Sequence, residues 1–264
     1  MSAERPDWEW YRRSCELIAA GELDAAEDVI SGALEAGHLW RVSLLSAPAI
    51  RTLEGRPKFE STALEARRRS EQRHLHPEVL IACPPHRGGA LPLLLVLHGA
   101  TGNAAMELER WRPATDLGYV VAAAQSSQPA TADGFCWDPP RERVWEDVRA
   151  IVAGLPAHAR VVLAGFSQGA WIALLAAMQA DVVVAGTVIM VGPFAGADPN
   201  LPHAWRRLRV SILVGAEDPY RGPVEALARQ LSEREHHVST EVIPNLGHAY
   251  PHDFADSLPK LLRP

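Results

Sequence analysis

Ser167 lies in the pentapeptide Gly165-Phe166-Ser167-Gln168-Gly169. The apolar run Arg160-Val161-Val162-Leu163-Ala164 comes directly before it. The helix-like run Ala170-Trp171-Ile172-Ala173-Leu174-Leu175-Ala176-Ala177-Met178 follows at once. Gly-x-Ser-x-Gly between a predicted strand and a predicted helix is the setting of a nucleophile elbow. The turn is sharp, so small residues at 165 and 169 are needed to let strand and helix approach. The hydroxyl then projects at the tip of a sheet, above a helix N-terminus. A serine hydroxyl is a poor nucleophile at neutral pH. It needs a base within hydrogen-bond reach and an acid that holds the base in the right tautomer.

Both partners are available downstream, each on a turn after an apolar run. Ser211-Ile212-Leu213-Val214 leads into Gly215-Ala216-Glu217-Asp218-Pro219, and Glu241-Val242-Ile243 leads into Pro244-Asn245-Leu246-Gly247-His248. The order is therefore Ser167, Asp218, His248. Asp218 is preferred to Glu217 because it sits deeper in the turn, immediately before a proline. The alternative is that either carboxylate caps the helix predicted over 221–235. The competing histidines are His252 and the pairs His236-His237 and His74/His76, which lie in polar stretches and are expected to be solvated. An oxyanion formed at Ser167 needs two backbone N–H donors. One is expected from Gln168, the residue after the nucleophile. The other is expected from His98-Gly99-Ala100-Thr101-Gly102-Asn103, with Ala100 first and Thr101 second; the alternative is an ordinary glycine turn. No His/Cys/Asp spacing suits a metal, and this chemistry implies no cofactor.

These turns need elements to position them, and the pattern from about residue 75 supplies them. Val79–Cys83, Leu93–Leu97, Tyr119–Ala124, Val161–Ala164, Val183–Val191, Val210–Val214 and Thr240–Ile243 read as strands. Helices fit at 144–153, after the elbow, at 221–235 and at 252–262. Strands that are apolar without alternation are buried on both faces, so a mostly parallel sheet with helices on each side is predicted. Residues 1–72 differ. Trp8, Tyr11, Cys15 and Ile18, then Leu23, Ala26, Ile30 and Ala33, recur at helical spacing, with breaks at Gly21 and Gly37. Leu44, Leu45, Ala49 and Leu53 predict a third helix and Phe59, Ala63 and Ala66 a fourth. Gly21–Ala26 faintly resembles the inter-helix turn of a tetratricopeptide repeat, but no second copy follows at a regular period. The predicted organisation is a helical appendage over 1–72 and a catalytic domain over 73–264. The large apolar residues Trp8, Tyr11, Trp40, Leu44, Leu45 and Phe59 must be buried somewhere. They are expected to pack against the catalytic domain beside the mouth of its site or, alternatively, to form a homodimer through these helices.

Composition narrows the classes. The chain has 264 residues, 47% hydrophobic and 22% charged, enough for one full domain with a small addition. With a net charge of -6 and no long run of one sign, nucleic acid is not an expected partner. Arg67-Arg68-Arg69 beside Glu65 and Glu71 reads as a solvated helix face. The high ratio of arginine to lysine, with many alanines, suggests a GC-rich bacterial source. Cys15, Cys83 and Cys136 are widely spaced and read as free thiols. There is no apolar leader or membrane-length run, so a cytoplasmic location without membrane association is expected.

The ordered set of the His98-Gly99 turn, the elbow, the Asp218 turn and Gly247-His248 resembles the α/β-hydrolase superfamily over roughly residues 75–264. Within it, Gly165–Gly169 is similar to the carboxylesterase, phospholipase and acyl-protein-thioesterase branch. The resemblance implies hydrolysis of a small carboxylic ester or thioester through an acyl-enzyme. Cys136-Trp137-Asp138 resembles an aromatic–Asp stretch of that branch and implies Trp137 as a substrate-pocket residue, the alternative being plain packing; Thr101 is a second substrate-side candidate. The oxyanion turn departs from the Gly-x-Gly-Asp type usual in the branch. The stretch between Val191 and Val210 is short and holds Pro193, Pro199 and Pro202, which disfavours a lid there. The alternatives are a peptidase or amidase of the same fold, or a non-catalytic binding or scaffold protein that uses the N-terminal helices.

Overall fold

A computed structural model describes residues 6–38, 45, 47, 49–72, 75–85, 90–130, 134–138, 141–155 and 158–263. The chain divides into two compact units, Met1–Leu75 with Gln128–Asp138, and His76–Ser127 with Pro139–Pro264.

The smaller unit contains α1 (Pro6–Ala19), α2 (Leu23–Glu35) and α3 (Pro57–Gln72). Their apolar stripes meet in one cluster around Leu17, Ile30, Leu34, Ile50, Leu53 and Phe59. Glu27 is buried in this unit; it takes Arg56 at 2.7 Å and the N–H of Phe59 at 2.9 Å. That second bond satisfies one of the first-turn N–H groups of α3, which have no partner within the helix. Of the third helix expected over Leu44–Leu53, the described residues include Leu45, which is helical, and a 3-10 turn, Ile50–Leu53. It is closed off by Gly55, at φ 83°, ahead of Pro57 at the start of α3. Leu45 is buried in the cluster, whereas Trp40, Leu44 and the Trp8 side chain lie outside the described residues.

The larger unit opens with β1 (Glu78–Ala82), β2 (Leu93–Leu97), α4 (Ala104–Trp111) and β3 (Val120–Gln125). The short strands β4 (Gln128–Pro129) and β5 (Phe135–Cys136) come next in the chain but belong to the smaller unit. The larger unit continues with α5 (Arg141–Ala153), β6 (Val161–Phe166), α6 (Gln168–Ala177), β7 (Ala185–Val191), β8 (Arg209–Gly215), α7 (Arg221–Glu233), β9 (His237–Ile243) and α8 (Phe254–Leu261). The sheet order is β1-β3-β2-β6-β7-β8-β9, with β1 antiparallel to β3 and the other pairs parallel.

Every residue of β2 is buried. Leu94 and Val96 join a cluster with Trp111 of α4 and Phe254, Leu258 and Leu261 of α8. Leu93, Leu95 and Leu97 point the other way, as strand geometry requires, and are also fully buried. Both faces of the central sheet are therefore covered. The helix after the elbow, α6, is apolar nearly all round and buried along its length, as expected of a helix enclosed by its neighbours. The edge strand β9 is mostly exposed. No helix lies between Val191 and Arg209, all of whose residues are described. No described helix is long and apolar enough to cross a membrane.

Candidate active site

Ser167 closes β6 and precedes α6 with a backbone at φ 52° and ψ -117°. A non-glycine residue rarely holds positive φ, and such strain persists only where surroundings over-determine it. Here the Ser167 N–H donates to Val191 at 3.0 Å, and its carbonyl accepts from Phe194 at 3.1 Å and Trp171 at 3.3 Å. The flanking glycines are dictated by space. A Cβ on Gly165 would lie 2.5 Å from the Gly169 carbonyl carbon, and one on Gly169 would lie 2.2 Å from the Leu97 oxygen. Strand β6, helix α6 and the end of β2 thus meet backbone to backbone.

His248 bridges the other two candidates. Its Nε2 lies 2.9 Å from Ser167 Oγ and its Nδ1 lies 2.9 Å from Asp218 Oδ2. The Asp218 side chain is fully enclosed, and its Oδ1 accepts the Tyr220 N–H at 2.9 Å. An ionised carboxylate only accepts, so the imidazole proton belongs on Nδ1. Nε2 then offers its lone pair to the serine hydroxyl. The loops carrying acid and base are joined directly: Ala216 N–H donates to Ile243 at 2.8 Å and Glu217 N–H to Leu246 at 2.9 Å. Gly215 permits this, since a Cβ there would sit 2.0 Å from the Leu246 oxygen. Glu217 is exposed on the same turn.

The Gly99 turn abuts the nucleophile. A Cβ on Gly99 would lie 3.3 Å from Ser167 Cβ and 2.8 Å from the Phe166 ring. The turn closes by a Gly102 N–H to Gly99 bond of 2.9 Å, and Asn103 caps α4 through the Met106 N–H. Ala100 is half-buried, and Thr101 holds φ 61° while its hydroxyl donates to the Ala100 carbonyl at 2.6 Å. Left-handed geometry at a β-branched residue is unusual and marks this turn as constrained. His98 helps fix it: fully buried, it accepts from Ser126 N–H at Nε2 and sets Nδ1 2.8 Å from the Gly99 carbonyl. Gln168 is the first residue of α6, where N–H groups and the helix dipole favour negative charge.

Sequence patterns carry no sign of a second layer around this site. Tyr250, two residues beyond His248, stacks on Phe166 at 4.8 Å, and Phe166 also packs on the His248 ring at 5.1 Å. The Tyr250 hydroxyl donates to Glu107 at 2.6 Å and accepts the Trp111 indole N–H at 3.0 Å. Glu107 is buried in α4; burial pushes its carboxyl up, while the Tyr250 bond and Arg110 pull the other way. Burial, then the Glu107 charge, raise the Tyr250 hydroxyl well above its ordinary value. Tyr220 also packs edge-on against His248, at 5.2 Å.

Trp137 is buried and belongs to the smaller unit. His252, His237 and His76 are exposed, and His74 lies outside the described residues. His236, expected to be solvated, is buried: its Nδ1 accepts the Leu208 N–H at 3.1 Å, where the chain enters β8. Cys15, Cys83 and Cys136 form no disulfide.

No family model matches the chain, and no curated protein matches it. Solved structures do. An uncharacterized protein from Bacillus cereus ATCC 10987 is similar with a TM-score of 0.58 and 20% identity, over 98% of this chain and 86% of that one. Esterase PE8 is similar with a TM-score of 0.56 and 18% identity, over 71% of this chain and 100% of its own. Est1E from Butyrivibrio proteoclasticus, with ferulic acid bound, is similar with a TM-score of 0.53 and 18% identity, over 70% of this chain and 92% of that one. The chain has the α/β-hydrolase fold.

Proposed function

We propose that this chain is a serine hydrolase that cleaves small carboxylic esters or thioesters through an acyl-enzyme on Ser167. The observation that carries the reading is the position of His248, 2.9 Å from both the Ser167 hydroxyl and the enclosed Asp218 carboxylate. His248 takes the hydroxyl proton at Nε2 as Ser167 Oγ bonds to the acyl carbon. The carbonyl oxygen becomes an oxyanion, held by the N–H groups of Gln168 and Ala100, with Thr101 the second candidate for the latter. The bond to the leaving oxygen or sulfur breaks as His248 returns the proton to it. Water then repeats the sequence on the acyl-enzyme: it gives a proton to His248, adds to the acyl carbon and displaces Ser167 Oγ, to which His248 returns the proton. Asp218 keeps the imidazole in the productive tautomer and stabilises the imidazolium that forms. No cofactor enters these steps. The likeness in fold to esterase PE8 and Est1E supports ester chemistry within this scheme.

A fluorophosphonate probe tests it. The native protein is expected to be labelled at Ser167 with loss of p-nitrophenyl acetate and acyl-thioester hydrolysis, and Ser167→Ala is expected to be neither labelled nor active. Labelling that persists in Ser167→Ala, or a native protein inert to probe and substrates alike, overturns the assignment.

A further inference from the structure

One aromatic residue beside this site is left in water. Phe59, Phe135 and Phe254 are buried, whereas Phe194 exposes 51% of its surface. It is not a loosely placed surface ring: its N–H donates to the Ser167 carbonyl at 3.1 Å, which fixes its backbone to the nucleophile. Its ring meets Tyr220 edge-on, with centroids 4.7 Å apart and planes at 80°. Tyr220 in turn meets His248 edge-on, at 5.2 Å and 71°. A chain of rings therefore runs outward from the imidazole, His248 to Tyr220 to Phe194, at spacings typical of favourable aromatic pairs. At its inner end the His248 ring also packs against Phe166, at 5.1 Å. Its outer end, the Phe194 ring, is open.

The direction of this chain of rings has a chemical meaning. On the ester-hydrolase reading above, on which this inference rests, His248 Nε2 hands its proton to the departing oxygen or sulfur. The leaving group therefore lies on the His248 side of the scissile bond, where the rings are. We propose that Phe194 and Tyr220 form the leaving-group subsite, and that the preferred substrates are esters or thioesters of alcohols or thiols carrying an aromatic ring. A planar ring there extends the edge-to-face series by one member and buries the open side of Phe194. A saturated ring of the same size buries the same surface but lacks the quadrupole that favours such pairing.

The test compares kcat/KM on benzyl acetate, cyclohexylmethyl acetate, methyl phenylacetate and ethyl acetate. The two ring-bearing acetates place rings of similar size on similar primary alcohols, so their ratio reports recognition of the ring. The native protein is expected to favour benzyl over cyclohexylmethyl acetate, by up to about tenfold. Phe194→Ala and Phe194→Leu should bring that ratio close to one; the leucine variant retains apolar bulk and separates ring recognition from burial. A purely structural role lowers both rates together and leaves the ratio unchanged, which would overturn the proposal. So would a larger effect of Phe194→Ala on methyl phenylacetate, which would put the ring on the acyl side. A native protein inert to all four esters, ethyl acetate included, would instead strike at the hydrolase reading itself.

Discussion

Replacing Asp218 by asparagine removes one charge and no heavy-atom volume, and the surrounding bonds dictate the consequence for the imidazole. Asp218 Oδ1 accepts from Tyr220 N–H at 2.9 Å and Oδ2 from His248 Nδ1 at 2.9 Å, in a fully enclosed pocket. An asparagine amide has one oxygen for these two donors. Turning its NH2 toward the Tyr220 N–H would set donor against donor and leave a buried N–H unmet, at a cost of about 1–3 kcal/mol. The oxygen therefore stays on Tyr220 and the NH2 faces His248. Nδ1 must then accept, the proton moves to Nε2, and Nε2 can no longer take a proton from Ser167. Losing the charge-assisted bond to the imidazolium removes about a further 1.5–3 kcal/mol from the transition state. Together these amount to about 2.5–6 kcal/mol, or a fall of about 10²–10⁴-fold in kcat. Steady-state hydrolysis of p-nitrophenyl acetate measures it, with a melting curve to confirm that Asp218→Asn folds. Glu217→Gln is the matched control, because Glu217 is exposed on the same turn, and it should stay within about twofold. If Asp218→Asn remained within tenfold of the native rate, or Glu217→Gln lost more than Asp218→Asn, the assignment of the acid would be wrong.

Two further outcomes concern the frame of the site. Gly169→Ala would drive a Cβ to 2.2 Å from the Leu97 oxygen, so a fall in Tm equivalent to at least about 1–3 kcal/mol is expected, with loss of fluorophosphonate labelling. Gly222→Ala meets nothing within 4 Å and should be neutral or stabilising by up to about 1 kcal/mol. Burial, aided by the Arg234 and His237 charges, lowers the His236 pKa from its ordinary value. The unfolded chain therefore binds a proton there more tightly than the folded one, so stability falls as pH drops below the unfolded value, about 6.5. His236→Asn keeps an acceptor for the Leu208 N–H but does not titrate. Between about pH 7.5 and about pH 5.5 its Tm should fall less than that of the native protein; equal falls would mean that His236 does not contribute.

The readable and unreadable parts of this fold differ in how many residue types could fill each place. Where two backbones touch, only glycine fits. Gly165 and Gly169 at the elbow and Gly215 where acid and base loops meet stand out in the sequence for that reason, whereas at Gly99 it is the Phe166 ring that leaves little room for a side chain. Strands covered on both faces admit only apolar residues, so β2, β3 and β6 are legible as uninterrupted runs. The order of turns after β6, β8 and β9 then implies that Ser167, Asp218 and His248 could meet, and the structure brings them within hydrogen-bond distance. The choice between Asp218 and Glu217 is only weakly encoded, since both carboxylates sit in one turn; enclosure of one and exposure of the other is a property of the packed loops. Tyr250 and Glu107 lie 143 positions apart, and no local pattern announces such a pairing. His236 looks solvated in the sequence because its neighbours are polar, but the start of β9 lies alongside β8, where an inward imidazole finds the Leu208 N–H. The short strands β4 and β5 come after β3 in the sequence yet belong to the same compact unit as the N-terminal helices, which no local pattern announces. Phe194 is the least determined of these: other apolar residues would satisfy its backbone bond to Ser167 equally well. Its aromatic identity is not required by the fold, and that freedom makes it a position where substrate selectivity can be tuned.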